Sequence, residues 1–200
     1  MGSGSGLARA RIIYYHVVMG SGGSRYDEQE IAETLRRLAT QRRFLLDSST
    51  LILLDKAGLL KVIILQLPCE TIPEVANEVG DTLIAHAGMN VRPAHPPATH
   101  TRLPDTDSLL FTTAQAEKLA MVSEDKKLLR RCDVAGVPYY NAGMLLMRSR
   151  MLGVQRLGPG LKPGLETDGA YRKLCEVARY SRQVRDYLQA LDLFLLKQGR

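Results

Sequence analysis

The chain has 200 residues and a mass of 22.2 kDa, which is the length of one domain with extensions. Apolar residues make up 45% and charged residues 24%, close to the averages for globular proteins, so disorder of the whole chain is excluded. Apolar runs such as 62–65 are far shorter than the ~20 residues of a spanning helix, so we expect no membrane segment. Three widely spaced cysteines predict a reducing compartment, the cytoplasm.

Charge is unevenly distributed along the chain. Residues 1–43 hold 7 basic and 4 acidic side chains (+3), residues 44–147 hold 9 and 12 (−3), and residues 148–200 hold 11 and 5 (+6). An acidic centre repels itself unless a cation or a basic partner compensates it, and basic flanks attract polyanions. The pattern therefore resembles a metal site beside a phosphate-binding surface.

Strands and helices alternate along the first two thirds of the chain. Gly/Ser-rich stretches mark residues 1–24 as a linker or appended segment, although residues 12–18 within it are β-rich and predict a strand. Residues 27–38 predict an N-terminal helix, in an arm spanning 25–43, with Ile31, Leu35 and Leu38 on one face. Residues 44–46 predict a buried strand, and residues 51–60 a helix ending near Gly58.

The next segments continue the alternation. Residues 62–65 predict either a further strand or more of the preceding helix, and Pro73 predicts the first position of a helix carrying Glu74, Glu78 and Asp81. A proline-rich loop follows, and Asp107 is placed as the N-cap of the next helix. Residues 120–122 predict a strand, 126–132 a helix, 136–140 a turn and strand, and 167–197 one long helix or two. This alternation predicts an α/β fold with a parallel sheet of four or five strands.

Four carboxylates, Asp47, Glu78, Asp107 and Asp125, stand where strands end or helices begin. In parallel sheets, ligands bind at the carboxyl ends of the strands, so Asp47 and Asp125 should share one edge. Carboxylate oxygens are the ligands that Mg²⁺ and Mn²⁺ prefer. These residues therefore predict a candidate site for phosphodiester chemistry assisted by a metal.

Five motifs in a fixed order carry a family resemblance. They are FLLDSSTLILLDKAGLL (44–60), IPEVANE (72–78), DSLLFTTA (107–114), SEDKKL (123–128) and GVP (136–138). This stretch resembles the PIN-domain nucleases, and is most similar to the prokaryotic branch related to the VapC-type toxins of toxin–antitoxin pairs. The resemblance covers roughly half of the chain. It implies a three-layer α/β/α PIN-like domain over residues 44–147, followed by a basic helical extension over residues 148–200.

The resemblance also implies a function. A PIN-domain nuclease would use Asp47, Glu78, Asp107 and Asp125 to hold Mg²⁺ or Mn²⁺, with Ser49 orienting metal or water, and would cleave single-stranded RNA as an endoribonuclease. Within the motifs, Glu74, Asp105 and Glu124 compete with three of these positions, and the choice rests on the spacing of the apolar residues that follow. An antitoxin or other regulatory protein and a homodimer are the partners that the family implies.

Basic side chains supply a candidate RNA-binding surface. We expect contacts to the RNA backbone from two groups of residues, Lys126, Lys127, Arg130 and Arg131 after the last acidic motif, and Arg172, Arg179 and Arg182 in the tail. An apolar stripe over residues 177–195 is compatible with core packing or with a dimer contact. Two alternatives remain, a catalytically idle PIN scaffold that binds RNA or protein, and a Rossmann-like nucleotide-binding protein in which Gly20–Gly23 and Asp47 hold the nucleotide.

Overall fold

The computed structural model describes residues 26–97, 104–157 and 169–198. The predicted strand at 12–18, the Gly20–Gly23 segment and the proposed linker at 1–24 lie outside the described residues. In chain order the elements are α1 (Glu28–Thr40), β1 (Phe44–Leu46), α2 (Ser48–Lys56), α3 (Leu60–Gln66), β2 (Cys69–Thr71), α4 (Pro73–Val79), α5 (Asp81–Ala87), β3 (Asn90–Val91), α6 (Thr106–Ala116), β4 (Ala120–Val122), α7 (Lys126–Ala135), β5 (Tyr139–Tyr140), α8 (Ala142–Leu157), α9 (Gly169–Val177) and α10 (Arg182–Gln198).

The strands form one five-stranded sheet in the order β3-β2-β1-β4-β5, and every neighbouring pair is parallel. Central strands β1 and β4 are completely buried, which explains why both read as short runs of apolar residues. The α/β class and the parallel sheet predicted from the sequence are confirmed, and the arrangement is consistent with a three-layer α/β/α fold. None of the described helices is long and apolar enough to cross a membrane.

The chain divides into two compact units. The sheet unit is Gln41–Leu145 and contains all five strands. The helical unit consists of the described residues within Met1–Thr40 and Leu146–Arg200. In the helical unit α1 packs against α10, and the Tyr187 hydroxyl donates to Thr34 Oγ1 at 2.9 Å. A buried ion pair joins Arg150 Nε to Asp192 Oδ1 at 3.0 Å.

Two glycines correct the predicted helix boundaries in the sheet unit. Gly58 has a φ of 71°, so the chain leaves the helical conformation there, and residues 62–65 belong to the separate helix α3 rather than to a strand. Gly80 has a φ of 91°, so the Pro73 helix ends at Val79 and Asp81 begins α5 instead. Pro73 occupies the first turn of α4, as predicted.

The tail forms two helices rather than one. Arg179 has a φ of 51° between α9 and α10, and α10 starts at Arg182. The apolar stripe of α10 is buried within the single chain at Val184, Leu188 and Leu191, which confirms core packing. The homodimer prediction therefore loses the support of this stripe and stays a prediction.

Candidate functional site

The carboxyl ends of β1 and β4 lie side by side because these two strands pair in parallel register, Leu46 opposite Val122. The chain continues from β1 into Asp47 and from β4 through Ser123 to Asp125. Asp47 is the N-cap of α2, and Asp125 is the N-cap of α7. The topology thus brings both predicted aspartates to one edge of the sheet.

Asp47 is the most enclosed of the predicted site residues, with only 5% of its surface exposed. Its Oδ1 accepts a hydrogen bond from the Thr50 N–H (2.7 Å), and its Oδ2 accepts from Ser49 Oγ (2.8 Å) and Ser123 Oγ (2.5 Å). Burial raises the pKa of Asp47, and these hydrogen bonds oppose the rise. The carboxylate is therefore held in one orientation by three donors. Ser49 touches Asp47 and so belongs to the same arrangement.

Ser123 is a site residue that the sequence analysis missed. Its hydroxyl donates to Asp47 and accepts from the Asp125 N–H at 2.9 Å, so it links two of the predicted carboxylate positions through one buried oxygen. A hydroxyl residue directly after a buried strand, and two residues before an acidic helix cap, is the sequence signal that could have identified it.

Glu78 connects three helices at this edge. Its Oε2 accepts from Ser48 Oγ at the start of α2 (2.5 Å), and its Oε1 accepts from Thr106 Oγ1 at the start of α6 (2.6 Å). Glu78 itself lies on α4. A single carboxylate therefore fixes the first turns of α2 and α6, although Ser48 and Thr106 lie 30 and 28 residues away from it in the chain.

Asp107 lies in the first turn of α6, but it is not the cap of that helix. The predicted N-cap position is wrong by two residues, because Asp105 Oδ1 accepts the Ser108 N–H (2.7 Å) and so performs the capping role. This leaves the Asp107 carboxylate exposed in the first turn instead of closing it.

Partial desolvation raises the pKa of Asp107, and the negative charges of neighbouring carboxylates raise it further. In decreasing order these neighbours are Asp125, Asp105, Asp47 and Glu78. Like charges raise the pKa of a carboxyl group, so the charges of these four residues act together on Asp107. We call these five residues (Asp47, Glu78, Asp105, Asp107 and Asp125) the acidic edge.

The same interactions separate the residues that competed in the motifs. Glu78, and not Glu74, is among the charges that raise the pKa of Asp107. Glu74 instead has a buried Oε2 without a hydrogen-bond partner. The Glu124 carboxylate accepts the Ala142 N–H (2.8 Å) at the start of α8, whereas Asp125 is the strongest of the charges that raise the pKa of Asp107. Asp105 and Asp107 both belong to the acidic edge.

The side chains of the acidic edge have the right chemistry for a divalent cation, but they are not close enough together to hold one. The possible metal ligands there are carboxylate oxygens and the neighbouring serine hydroxyls, which Mg²⁺ and Mn²⁺ prefer, and a cation would relieve the repulsion that acts on Asp107. Nevertheless, within residues 26–97, 104–157 and 169–198, no three or more His, Cys, Asp or Glu side chains form a group that could hold a metal ion. A cation here would therefore require the side chains to move together.

The predicted RNA-binding residues are exposed in both units. In the sheet unit they are Lys126, Lys127, Arg130 and Arg131 on α7, the helix that Asp125 caps, and in the helical unit they are Arg172, Arg179 and Arg182. Arg131 differs from the others because its guanidinium carbon lies 4.1 Å from the centre of the Phe111 ring. Its Nη1 also donates to Ser108 Oγ at 3.1 Å.

The three cysteines are buried free thiols, and burial raises the pKa of both Cys69 and Cys132 to about 12. A thiol with such a pKa is protonated at neutral pH and is a poor nucleophile or metal ligand. The cysteines therefore contribute packing rather than chemistry.

Comparison with protein-family models, with curated proteins and with solved structures finds no match to this chain. The resemblance to PIN-domain nucleases consequently rests on the sequence motifs alone.

Proposed function

We propose that the protein is a metal-dependent endoribonuclease, and that the acidic edge is its active site. One observation supports this proposal above the others: Asp47 and Asp125 follow the paired strands β1 and β4, and their charges, together with those of Glu78 and Asp105, raise the pKa of Asp107. Like charges gathered in this way oppose folding, and a cation or a developing positive charge would offset them. Perturbed carboxylates at a sheet edge are therefore a functional-site signal with a physical cause.

Four carboxylates of the acidic edge and two neighbouring serines have proposed roles in this reaction. Asp47, Glu78, Asp107 and Asp125 would hold Mg²⁺ or Mn²⁺, which supplies Lewis acidity at a phosphoryl oxygen when bound. Ser49 and Ser123 orient the Asp47 carboxylate through their hydrogen bonds.

Single-stranded RNA is the proposed substrate. Exposed basic residues on α7 follow the Asp125 cap directly, so a phosphate backbone held there would pass close to the acidic edge. Phosphate contacts position a strand without selecting its sequence, so the target RNA is a separate question. A cytoplasmic toxin controlled by an antitoxin, and a homodimer, are the biological settings that we propose with this activity.

A second candidate is a catalytically idle scaffold that binds RNA or a protein. The specific observation in its favour is that no three ligating side chains are assembled for a metal in the part of the chain that the structure describes. Hydrogen bonds from Ser48 and Thr106 to Glu78 would then have a purely structural purpose. This candidate predicts RNA or protein binding without any response to divalent cations.

Cleavage of a labelled single-stranded RNA in Mg²⁺ or Mn²⁺ separates the two candidates. We expect Asp107→Asn to lower the rate by about 100-fold or more, because it removes a charged ligand of a cation that contributes several kcal/mol to the transition state. Asp55→Asn is the matched control, because Asp55 is exposed on α2 and takes no part in the acidic edge. Absence of cleavage by the wild type in either cation, or equal rates for wild type and Asp107→Asn, would refute the nuclease.

A further inference from the structure

Arg131 is held in a fixed position beside the acidic edge, unlike the other basic side chains of α7. Its guanidinium lies over the face of Phe111, and the Phe111 side chain is only 8% exposed, so a rigid part of the core supports the cation. Ser108 Oγ fixes the in-plane direction by accepting from Arg131 Nη1. Two contacts of different kinds therefore define the plane of the guanidinium.

The Arg131 side chain stays accessible to solvent although it contacts Phe111 and Ser108. Arg131 is an exposed residue, and Ser108 is its one hydrogen-bond partner in the described part of the chain. A guanidinium has five N–H donors and two flat faces, so a face and several donors are available to a ligand. Ser108 directly follows Asp107, so the same first turn of α6 carries a residue of the acidic edge and the hydroxyl that orients Arg131.

We propose that Phe111, Arg131 and Ser108 form a stacking platform for one unpaired nucleobase of a single-stranded RNA. The base would lie on the face of Arg131 opposite Phe111 and so complete a stack of ring, guanidinium and base. Unstacked RNA bases bind to aromatic rings and to arginine planes in this way. This inference rests on the proposed function for its substrate, and it adds a binding site for a base to an edge that otherwise contacts phosphate.

A stacking platform and a phosphate contact make opposite predictions for Arg131→Lys. Lysine keeps the positive charge but lacks the planar group, so a phosphate contact would survive and a stack would be lost. Arg42→Lys is the matched control, since it makes the same change at an exposed position of the sheet unit that lies outside the proposed RNA-binding surface and has no ring contact among the described residues. Phe111→Leu removes the ring while it keeps an apolar side chain in place.

Binding of a short labelled oligoadenylate, measured by anisotropy in EDTA, tests the platform without requiring metal or cleavage. We expect Arg131→Lys to weaken binding about tenfold, within the range for loss of one stacked base. The dependence of affinity on salt should stay unchanged, because the number of positive charges is unchanged. Arg42→Lys should bind like the wild type. Phe111→Leu should weaken binding as much as Arg131→Lys does, while its melting temperature shows that it is still folded.

Abasic substitution of the oligonucleotide completes the test. On an abasic strand the wild type and Arg131→Lys should bind equally, because the group that stacks is missing. Three outcomes would each overturn the platform. The two proteins could bind oligoadenylate equally, Arg131→Lys could bind the abasic strand more weakly than the wild type by the same factor as it binds oligoadenylate, or the wild type could fail to bind RNA. A wild type that cleaves RNA while Arg131→Lys binds normally refutes the platform alone. A platform effect in a protein that never cleaves RNA refutes the nuclease alone.

Discussion

The acidic edge and a second charged cluster both lie in the sheet unit, but their charges are arranged differently. The second cluster, which we call the ion-pair network, consists of Arg43, Glu70, Arg92, Glu117 and His95. Basic and acidic side chains alternate along it, with distances of 2.7 Å from Arg43 Nε to Glu70 Oε1 and 2.9 Å from Arg92 Nη2 to Glu117 Oε2. In the acidic edge every ionisable side chain is a carboxyl group.

The two clusters have opposite effects on the protonation of their carboxyl groups. The hydrogen bond with His95 and the charge of Arg92 lower the pKa of Glu117, whereas desolvation and like charges raise the pKa of Asp107. Paired charges of this kind support the folded state, and gathered like charges weaken it. The ion-pair network therefore has a structural explanation, because its charges are paired, whereas the unpaired like charges of the acidic edge are explained by a function.

Removal of the Glu70 carboxylate, the one that contacts two arginines of the ion-pair network, should lower stability more than the other changes described below. Glu70 is 8% exposed at its side chain and contacts Arg43 and Arg92, and Arg92 already has a buried Nε without a hydrogen-bond partner. We expect Glu70→Gln to lower the free energy of unfolding by about 2–3 kcal/mol, because the largely buried Arg92 keeps only Glu117 as an ion-pair partner and Arg43 loses the carboxylate that accepts two of its hydrogen bonds. Urea unfolding measures this change. Glu176→Gln, at an exposed position of α9, should stay within about 0.5 kcal/mol of the wild type.

Within the acidic edge, Asp47 should be the residue whose loss costs stability. We expect Asp47→Ala to lower the free energy of unfolding by about 1–2 kcal/mol, since α2 loses its cap and two serine hydroxyls lose their acceptor. Asp55→Ala on the same helix should leave stability nearly unchanged. An Asp47→Ala protein as stable as the wild type would show that the Asp47 carboxylate does not stabilise the folded state, as we also expect for Asp107.

The two clusters should also differ in how stability depends on pH, because Asp107→Asn and Glu117→Gln should shift the stability at neutral pH in opposite directions. The pKa of Asp107 is raised above its ordinary 3.8, so the folded state is favoured at low pH and loses that advantage as pH rises through the raised pKa. At pH 7 without divalent cations, Asp107→Asn should therefore be more stable than the wild type, by about 0.5 kcal/mol because the site is exposed and screened. Below pH 3.8 the difference should vanish.

Glu117 should show the opposite dependence of stability on pH. Its lowered pKa contributes stability above its ordinary value of 4.5, and that contribution is lost as pH falls through the lowered pKa. Glu117→Gln should therefore be less stable than the wild type at pH 7 and equal to it in acid. Thermal melting of both variants from neutral to acidic pH measures the two signs. Shifts of the same sign would show that the two clusters do not differ electrostatically.

Local signals predicted the elements of the fold that are long or fully apolar. The run at 44–46 and the run at 120–122 are apolar throughout, and both are strands of the central sheet. Strand β2 is as short as β1 and β4, but it was missed because it contains Glu70 instead of an unbroken apolar run, and the burial of Glu70 depends on distant arginines. Strand β3 has two exposed residues and carries no apolar pattern at all.

Local sequence signals also predicted only part of the acidic edge. Asp47 and Asp125 were predicted at one edge because each follows a buried strand. The cap of α6 was misplaced because Asp105 and Asp107 are both suitable, and only the backbone geometry selects the residue whose carboxylate reaches the Ser108 N–H. Hydrogen bonds from Ser123 to Asp47 and from Thr106 to Glu78 join residues 76 and 28 positions apart, and no local pattern encodes them.

Calorimetric titration of Mn²⁺ into the wild type and Asp107→Asn tests the central claim most directly, because it measures binding without any assumption about the RNA substrate. If the acidic edge holds the cation, the wild type should give a saturable heat, and Asp107→Asn should bind at least about tenfold more weakly, a loss of about 1.4 kcal/mol. Asp55→Asn should titrate like the wild type. Equal titrations for wild type and Asp107→Asn, or no saturable heat in the wild type, would contradict a metal-dependent site at the acidic edge.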